Sequence, residues 1–445
     1  MHEVIEVIDF EQAKLRRIKR ANTDWWINEK AIVAANGKTY IAYYTDMGEI
    51  HVKELDAKCQ RSLSHDVRVC TLNCNYADEH NAPSICVLEN GRIIVAYTGH
   101  GENGYLKYRI TKNPYDIYSF GEEITLDYQG SVTYAQLFEN TSKGQLWLFT
   151  RVSGSSWEFR YSSDEAKTWS EPRKIIASKN GRLFYMNVRK QTVKSAKGPT
   201  EQWFFAFYGH PISSNDHTIR SGIFDCEGRL LTTAGESTEI HLFENNDCID
   251  PAMLDTVYTS PEGTTVRLLD VSATMPLRVG FAPFVMDDPL VPSPETPTYH
   301  CATFTDGKWQ ISAPICKAGE FLARNIPDGA QTYLGGMAFY YGVGEAGLTW
   351  PDHAKASTNR IYITRFDADV NARVVESYVS YDHGKTYGLE QVLRKLPREL
   401  GIKTWRPTVP IHAQDNMPVY WHEGSYEAHT GGWHSDIVTY VEYDD

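Results

Sequence analysis

The sequence predicts an all-β fold, a seven-bladed β-propeller with four-stranded antiparallel blades. Three observations carry this. A strand–turn–strand unit recurs at intervals of 51, 52 and 51 residues, starting at Ala31, Ala82, Tyr134 and Tyr185. Aromatic residues make up 12% of the chain, and long stretches of helical periodicity are few. Two related turns, around Ser162–Trp169 and Ser380–Tyr387, mark two blades.

Each unit reads the same way. An alternating apolar strand is followed by a polar turn, often with Gly, and then by a second strand rich in aromatics. AIVAANGKTYIAYYT, APSICVLENGRIIVAYTGH and YAQLFENTSKGQLWLFTRV are the first three, and YMNVRKQ…QWFFAFYGH is the fourth. Looser units start near Thr256, Met337 and Arg406, which completes seven over a single domain spanning 1–445. About 40 to 50 residues per unit leaves room for the four short strands of a blade. The turn SYDHGKTY supplies Ser380, Asp382, Gly384, Thr386 and Tyr387. Its relative has Ser162, Asp164, Thr168 and Trp169, with Ala166 in the glycine position. An Asp side chain that caps such a turn bears on fold, not on chemistry.

Composition narrows the function. The chain of 445 residues has 44 basic and 57 acidic side chains, a formal charge of −13. This argues against nucleic acid and polybasic membrane surfaces as partners. An anionic substrate would have to be gripped by arginine placed locally. No run of 18 apolar residues suggests a membrane helix. The start, MHEVIEVIDFEQAKLRRIKR, has no apolar signal core. The expectation is a cytoplasmic protein, or a periplasmic or secreted one if a leader is missing. The eight cysteines form no CxxC pair and read as free thiols. His65, Cys70, Cys74 and His80 cluster in sequence, but at no zinc-like spacing. His210, His217 and Cys226 form a second loose cluster.

Propeller geometry makes one set of residues converge. The first strand of each blade runs along the central axis and the second returns antiparallel. The start of the first strand and the end of the second therefore share one face. His80 and Asn81 precede the first strand of blade two, and His100 ends its second. Tyr134 and Tyr185 start blades three and four, and Arg151 ends the second strand of blade three. Each residue alone has a plain structural reading, as a rim hydrogen-bonder, a packing aromatic or a surface cation. Together they predict a mouth with two imidazoles, two phenols and a guanidinium. His210 repeats the place of His100 in blade four, since AFYGH echoes AYTGH.

These groups suit proton transfer beside an anion. Imidazole titrates near neutrality, and arginine pairs a carboxylate bidentately. Polysaccharide lyases need that combination. The C5 proton of a uronic acid becomes acidic only when the adjacent carboxylate is neutralised and an enolate-like intermediate can form.

The motifs HNAPS, GHG, VTYAQLF, LFTRVSG, FYGHP and WRPTVP…YWHEGSY resemble, in that order, the BNR-repeat seven-bladed propellers that include ulvan lyases and rhamnose–glucuronate lyases. The resemblance implies a lyase that cleaves a rhamnose- and uronate-containing glycan by β-elimination. Its catalytic residues would be His80, His100, Tyr134 and Arg151, with Arg151 neutralising the carboxylate. His100 is favoured as the base, and Tyr134 or His80 as the acid. Asn81, Arg182 and Tyr185 would hold the sugar, although the family often has Arg-Pro-Tyr where this chain has Arg182-Leu183-Phe184-Tyr185. No cofactor is implied for the chemistry. Some relatives hold a structural zinc or calcium near the GHP stretch, where His210 is the candidate ligand. The alternatives are a propeller glycoside hydrolase, rhamnosidase- or sialidase-like, and a non-catalytic carbohydrate-binding propeller. The sialidase reading lacks an N-terminal Arg-Ile-Pro; the nearest string, Arg324-Asn325-Ile326-Pro327, is interrupted and late.

Overall fold

The computed structural model describes residues 15–23, 31–56, 67–71, 78–101, 104–177, 184–195, 198–210, 216–244, 248–272, 274–288, 291–293, 297–322, 333–340, 359–413, 418–426 and 434–440. They form seven antiparallel sheets, each a blade of at least four strands. The inner strands are Ile32–Ala35, Ser84–Val87, Val132–Asn140, Phe184–Ser195, Thr264–Val271, Gly336–Phe339 and Lys403–Thr408. No helix among the described residues is long and apolar enough to cross a membrane.

Six inner strands begin close to the positions expected from the repeat. The fifth does not. Thr256 lies in a strand, Asp255–Thr259, that pairs with the third strand of blade four through Arg220, and blade five begins only at Thr264. The run TVYTSPEGTTVRLLDV thus contains an outer strand of one blade, a turn and the inner strand of the next. Its alternation is continuous, which is why it reads as one unit.

The ring closes on blade seven. Leu15–Ile18 supplies its outermost strand by pairing with Ser435–Tyr440. Arg17 adds an ion pair to Glu423, which also accepts from Arg394 and Trp421.

Large aromatics fill the space between blades, as the composition required. Trp147 of blade three packs on Trp203 of blade four with ring centroids 4.1 Å apart. Polar inner-strand residues stitch the blades near the axis. Gln136 donates to Met186 O and accepts from Val188 N. Arg189 pairs with Asp270 at 2.9 Å, and Asp270 also accepts from Phe339 N, which links blades four, five and six. A buried ion pair this well bonded satisfies both charges.

The two related turns have the same hydrogen-bond pattern. Asp164 accepts from Thr168 N and Oγ1, and Asp382 does the same from Thr386. Ala166 keeps the left-handed backbone of the glycine it replaces, φ 64° against 82° at Gly384.

Candidate active site

The paired histidines are delivered by blade two. Asp78 caps a single 3₁₀ turn, Glu79–Asn81, accepting from His80 N at 2.8 Å. The turn leads directly into the inner strand, and His80 is buried on its rim. The second strand ends at Tyr97. Gly101 (φ 68°) follows His100 with a backbone that a side chain would strain. The two imidazoles meet face to face, with centroids 3.8 Å apart and planes 8° from parallel.

Asp78 holds both rings. His80 Nδ1 donates to Oδ1 at 2.5 Å, and His100 Nδ1 donates to Oδ2 at 3.0 Å. Burial pushes the Asp78 carboxyl up, but the two imidazoles outweigh it and hold the group well below the usual carboxylate range. Asp78 is therefore an acceptor, and both rings have a hydrogen on Nδ1, which leaves Nε2 as the atom that can take up or give a proton.

Blade three supplies the neighbouring groups. Tyr134 lies 5.8 Å from His80, centroid to centroid. It adopts φ 62° where the pairing with the second strand breaks register between Thr133 and Gln136. A tyrosine in the left-handed region is strained, and the bulge re-aims the side chain. Arg151 pairs across from Thr133, and its guanidinium carbon lies 4.3 Å from the ring centre of Tyr134 and 5.2 Å from that of Tyr185. Arg151 is only 5% exposed, and neither Nε nor Nη1 has a hydrogen-bond partner among the described residues. Burying a cation without such partners is costly, so a group that accepts from both nitrogens would be held strongly there.

The structure thus brings His80, His100, Tyr134, Arg151 and Tyr185 together, from blades two, three and four. Asn81 is buried beside them in the turn, with its N–H on Asp78 O. Arg182 lies outside the described residues. His210 lies tilted beside Tyr185 with centroids 5.8 Å apart, and burial followed by Arg267 and Arg151 pushes its pKa down to about 3. Two guanidinium groups acting on one imidazole disfavour a bound cation. His210 is not among the described residues that cluster as metal ligands.

The cluster that does bring ligand atoms together is Asp78, His80 and His100, all within 4.8 Å of one another. Proximity alone would let them hold an ion. The ring planes oppose it. An imidazole lone pair lies in the plane of its ring, and two parallel rings stacked at 3.8 Å do not direct Nδ1 lone pairs at a common point. They do direct two N–H groups at the two oxygens of one carboxylate.

Two residues at this mouth were missed in the sequence reading. Asp78 stands two positions before His80, and Asp-x-His ahead of a strand is a capping signal that was available. Arg267 is a lone cation within the apolar inner strand TTVRLLDV. It donates to Tyr208 OH at 3.3 Å and packs on Tyr333.

Residues 38–206 match the model of a BNR repeat-containing family member. The match runs from the second strand of blade one into the second strand of blade four and includes His80, His100, Tyr134, Arg151 and Tyr185. The structural comparison finds a similar fold over nearly the whole chain. An ulvan lyase of polysaccharide lyase family 25 has a TM-score of 0.66 at 12% identity, covering 96% of both chains. The same enzyme class bound to -[GlcA(1-4)Rha3S]- gives 0.64 at 12% identity, with the same coverage. At that identity the likeness speaks for the fold. In sequence, the ulvan lyase of Nonlabens ulvanivorans is 26% identical over 166 residues, 32% of this chain. The match spans about a third of that enzyme's length, 34%.

Proposed function

We propose that this BNR-repeat propeller is a polysaccharide lyase that cleaves a uronate-containing glycan by β-elimination. The observation that carries the reading is Arg151, a buried guanidinium with two nitrogens lacking hydrogen-bond partners among the described residues, set beside two histidines held through Nδ1 by Asp78. A uronate carboxylate on Arg151 would be neutralised in a bidentate pair. The C5–H bond then breaks toward an imidazole, the C4–O bond breaks, and a C4=C5 double bond forms. His100 suits the base, being the more open of the pair at 28% exposure of its side chain against 3% for His80. Tyr134 or His80 supplies the proton to the leaving oxygen. Tyr185 and Asn81 hold the sugar. None of these steps calls on a metal or an organic cofactor.

The relatives support a substrate class. One is an ulvan lyase by sequence, and a neighbour in fold binds glucuronate linked to sulfated rhamnose. An ulvan-like rhamnose–glucuronate glycan is the substrate we infer. The test mixes wild-type protein and His100→Ala with ulvan oligosaccharides and with rhamnosyl-glucuronate, and follows the ultraviolet absorbance of the 4,5-unsaturated uronate. A rise with the wild type and none with the variant supports the reading. Release of free rhamnose or saturated uronate would move the protein to the glycoside hydrolases. Binding without any product would leave a carbohydrate-binding propeller.

A further inference from the structure

The carboxylate of Asp78 cannot easily turn away from the histidines. It is buried, its Oδ1 also accepts from the backbone N–H of His80, and its carbonyl accepts from Asn81 N. The two imidazoles reach it through different oxygens. Their faces are in contact, so two imidazolium charges on the stacked pair would repel strongly at short range. One carboxylate between them balances one added proton, not two.

We propose that Asp78 is the positioning residue of the elimination: one carboxylate that fixes both imidazoles as Nδ1–H tautomers and limits the pair to a single extra proton. This rests on the lyase reading above. Among the described residues, Tyr134 and Arg151 from blade three and Tyr185 from blade four pack beside the unit, and Asp78 is the carboxylate that both rings meet. The neutral ring takes the C5 proton at Nε2 and becomes imidazolium. The ring that began protonated gives its proton to the leaving oxygen. The unit holds the same number of protons before and after the bonds change, with their places exchanged, and solvent resets it through His100. Asp78 does not touch the sugar. It acts by holding each ring with the reactive nitrogen outward.

Asp78→Asn tests this. An amide can accept from one ring but must donate to the other, which forces that ring into the Nε2–H tautomer. The expected result is a fall in kcat on the order of 10⁴-fold, the scale seen when a histidine-orienting aspartate is replaced by its amide. KM should change by no more than about threefold, since uniform binding is untouched. Asp78→Ser, which retains a capping oxygen for His80 N, serves if the amide variant does not fold. Asp78→Asn combined with His100→Ala should cost no more than His100→Ala alone. Nitrogen NMR of the histidines at neutral pH gives a readout independent of turnover. Nδ1–H in both rings of the wild type, lost in one ring of the variant, is the expected pattern. Wild-type kcat in both Asp78 variants, or Nε2–H tautomers in the wild type, would overturn the proposal. A wild type without lyase activity but with both Nδ1–H tautomers would instead overturn the functional reading and leave the clamp standing.

Discussion

Replacing Arg151 separates catalysis from stability more cleanly than any other change at this mouth. Arg151 packs its guanidinium between Tyr134 and Tyr185 and makes no ion pair among the described residues. Arg151→Met keeps the apolar stem in that slot and removes the charge. No buried carboxylate is left unpaired, so the usual cost of about 3–5 kcal/mol for breaking a buried pair does not arise. What is lost is the cation–π contact, about 1–2 kcal/mol when desolvated, offset by relief of a buried charge. The melting temperature should hold or rise. Activity should respond very differently. A preorganised donor aimed at developing negative charge contributes roughly 2.7–4 kcal/mol, or about 10²–10³-fold. Arg151 would offer two, so Arg151→Met should lose on the order of 10⁴-fold or more in kcat/KM. Arg151→Lys keeps the charge without the planar fork and should lose about 10²-fold. The assay is initial-rate formation of unsaturated uronate alongside a thermal melt of each variant. Activity within about tenfold of wild type in Arg151→Met would refute the carboxylate-neutralising role. Collapse of the fold together with activity would mean that Arg151 is structural.

Tyr134→Phe removes only the phenol. If Tyr134 is the acid, kcat should fall by about 10²–10⁴-fold with KM little changed; an unchanged kcat assigns the acid to His80, as the one-proton unit requires. Acid should unfold the protein early. Burial pushes His422 down to about 3, as it does His210, and His422 Nε2 accepts from Thr23 N at 3.1 Å. Both rings stay neutral in the folded state while their unfolded counterparts take up protons below about pH 6.5, so stability is intact above that pH and falls as pH drops toward 3. The slope is up to about 1.4 kcal/mol per pH unit for each ring. Denaturant melts at pH 7 and 5 should show the loss, and His422→Gln should reduce its slope. Prolonged chelation should leave lyase activity and melting temperature unchanged. Inactivation that added zinc reverses would place an ion on Asp78, His80 and His100 and defeat the ring-plane argument.

The propeller was legible because its signal is redundant. Blade periodicity near 51 residues, aromatic second strands and the two related turns all report the same backbone. The site was legible where strand topology alone sets proximity: a residue at an inner-strand start and one at the end of the next strand share a face. Asp78 was harder to read. Its role depends on a capping turn whose side chain serves two rings twenty-two and two residues away, and nothing in strand order indicates that both imidazoles face one carboxylate. Blade five was misplaced for a related reason. An outer strand and an inner strand separated by a short turn alternate alike, and only tertiary pairing divides them at Pro261–Gly263. Arg267 was lost with it, since the inner strand that carries it was not recognised as lining the mouth.

The backbone irregularities fall where this chemistry would need them. Tyr134 adopts its left-handed φ of 62° on the inner strand of blade three, where pairing slips between Thr133 and Gln136. Arg406 does the same on the inner strand of blade seven, at φ 47°, where pairing slips between Trp405 and Thr408. Blade five slips between Leu268 and Asp270, next to Arg267. A regular ladder would direct alternate inner-strand side chains into the blade interface, where the tryptophans pack. A bulge turns a side chain out of that alternation. Blades three, five and seven thus each combine a break in the ladder with a tyrosine or an arginine near the strand start, while blade four pairs without a slip from Phe184 to Ser195. The repeat builds the ring, and ladder breaks accompany some of the polar groups at the mouth, while Tyr185 reaches it from an unbroken ladder and His80 from a capped turn.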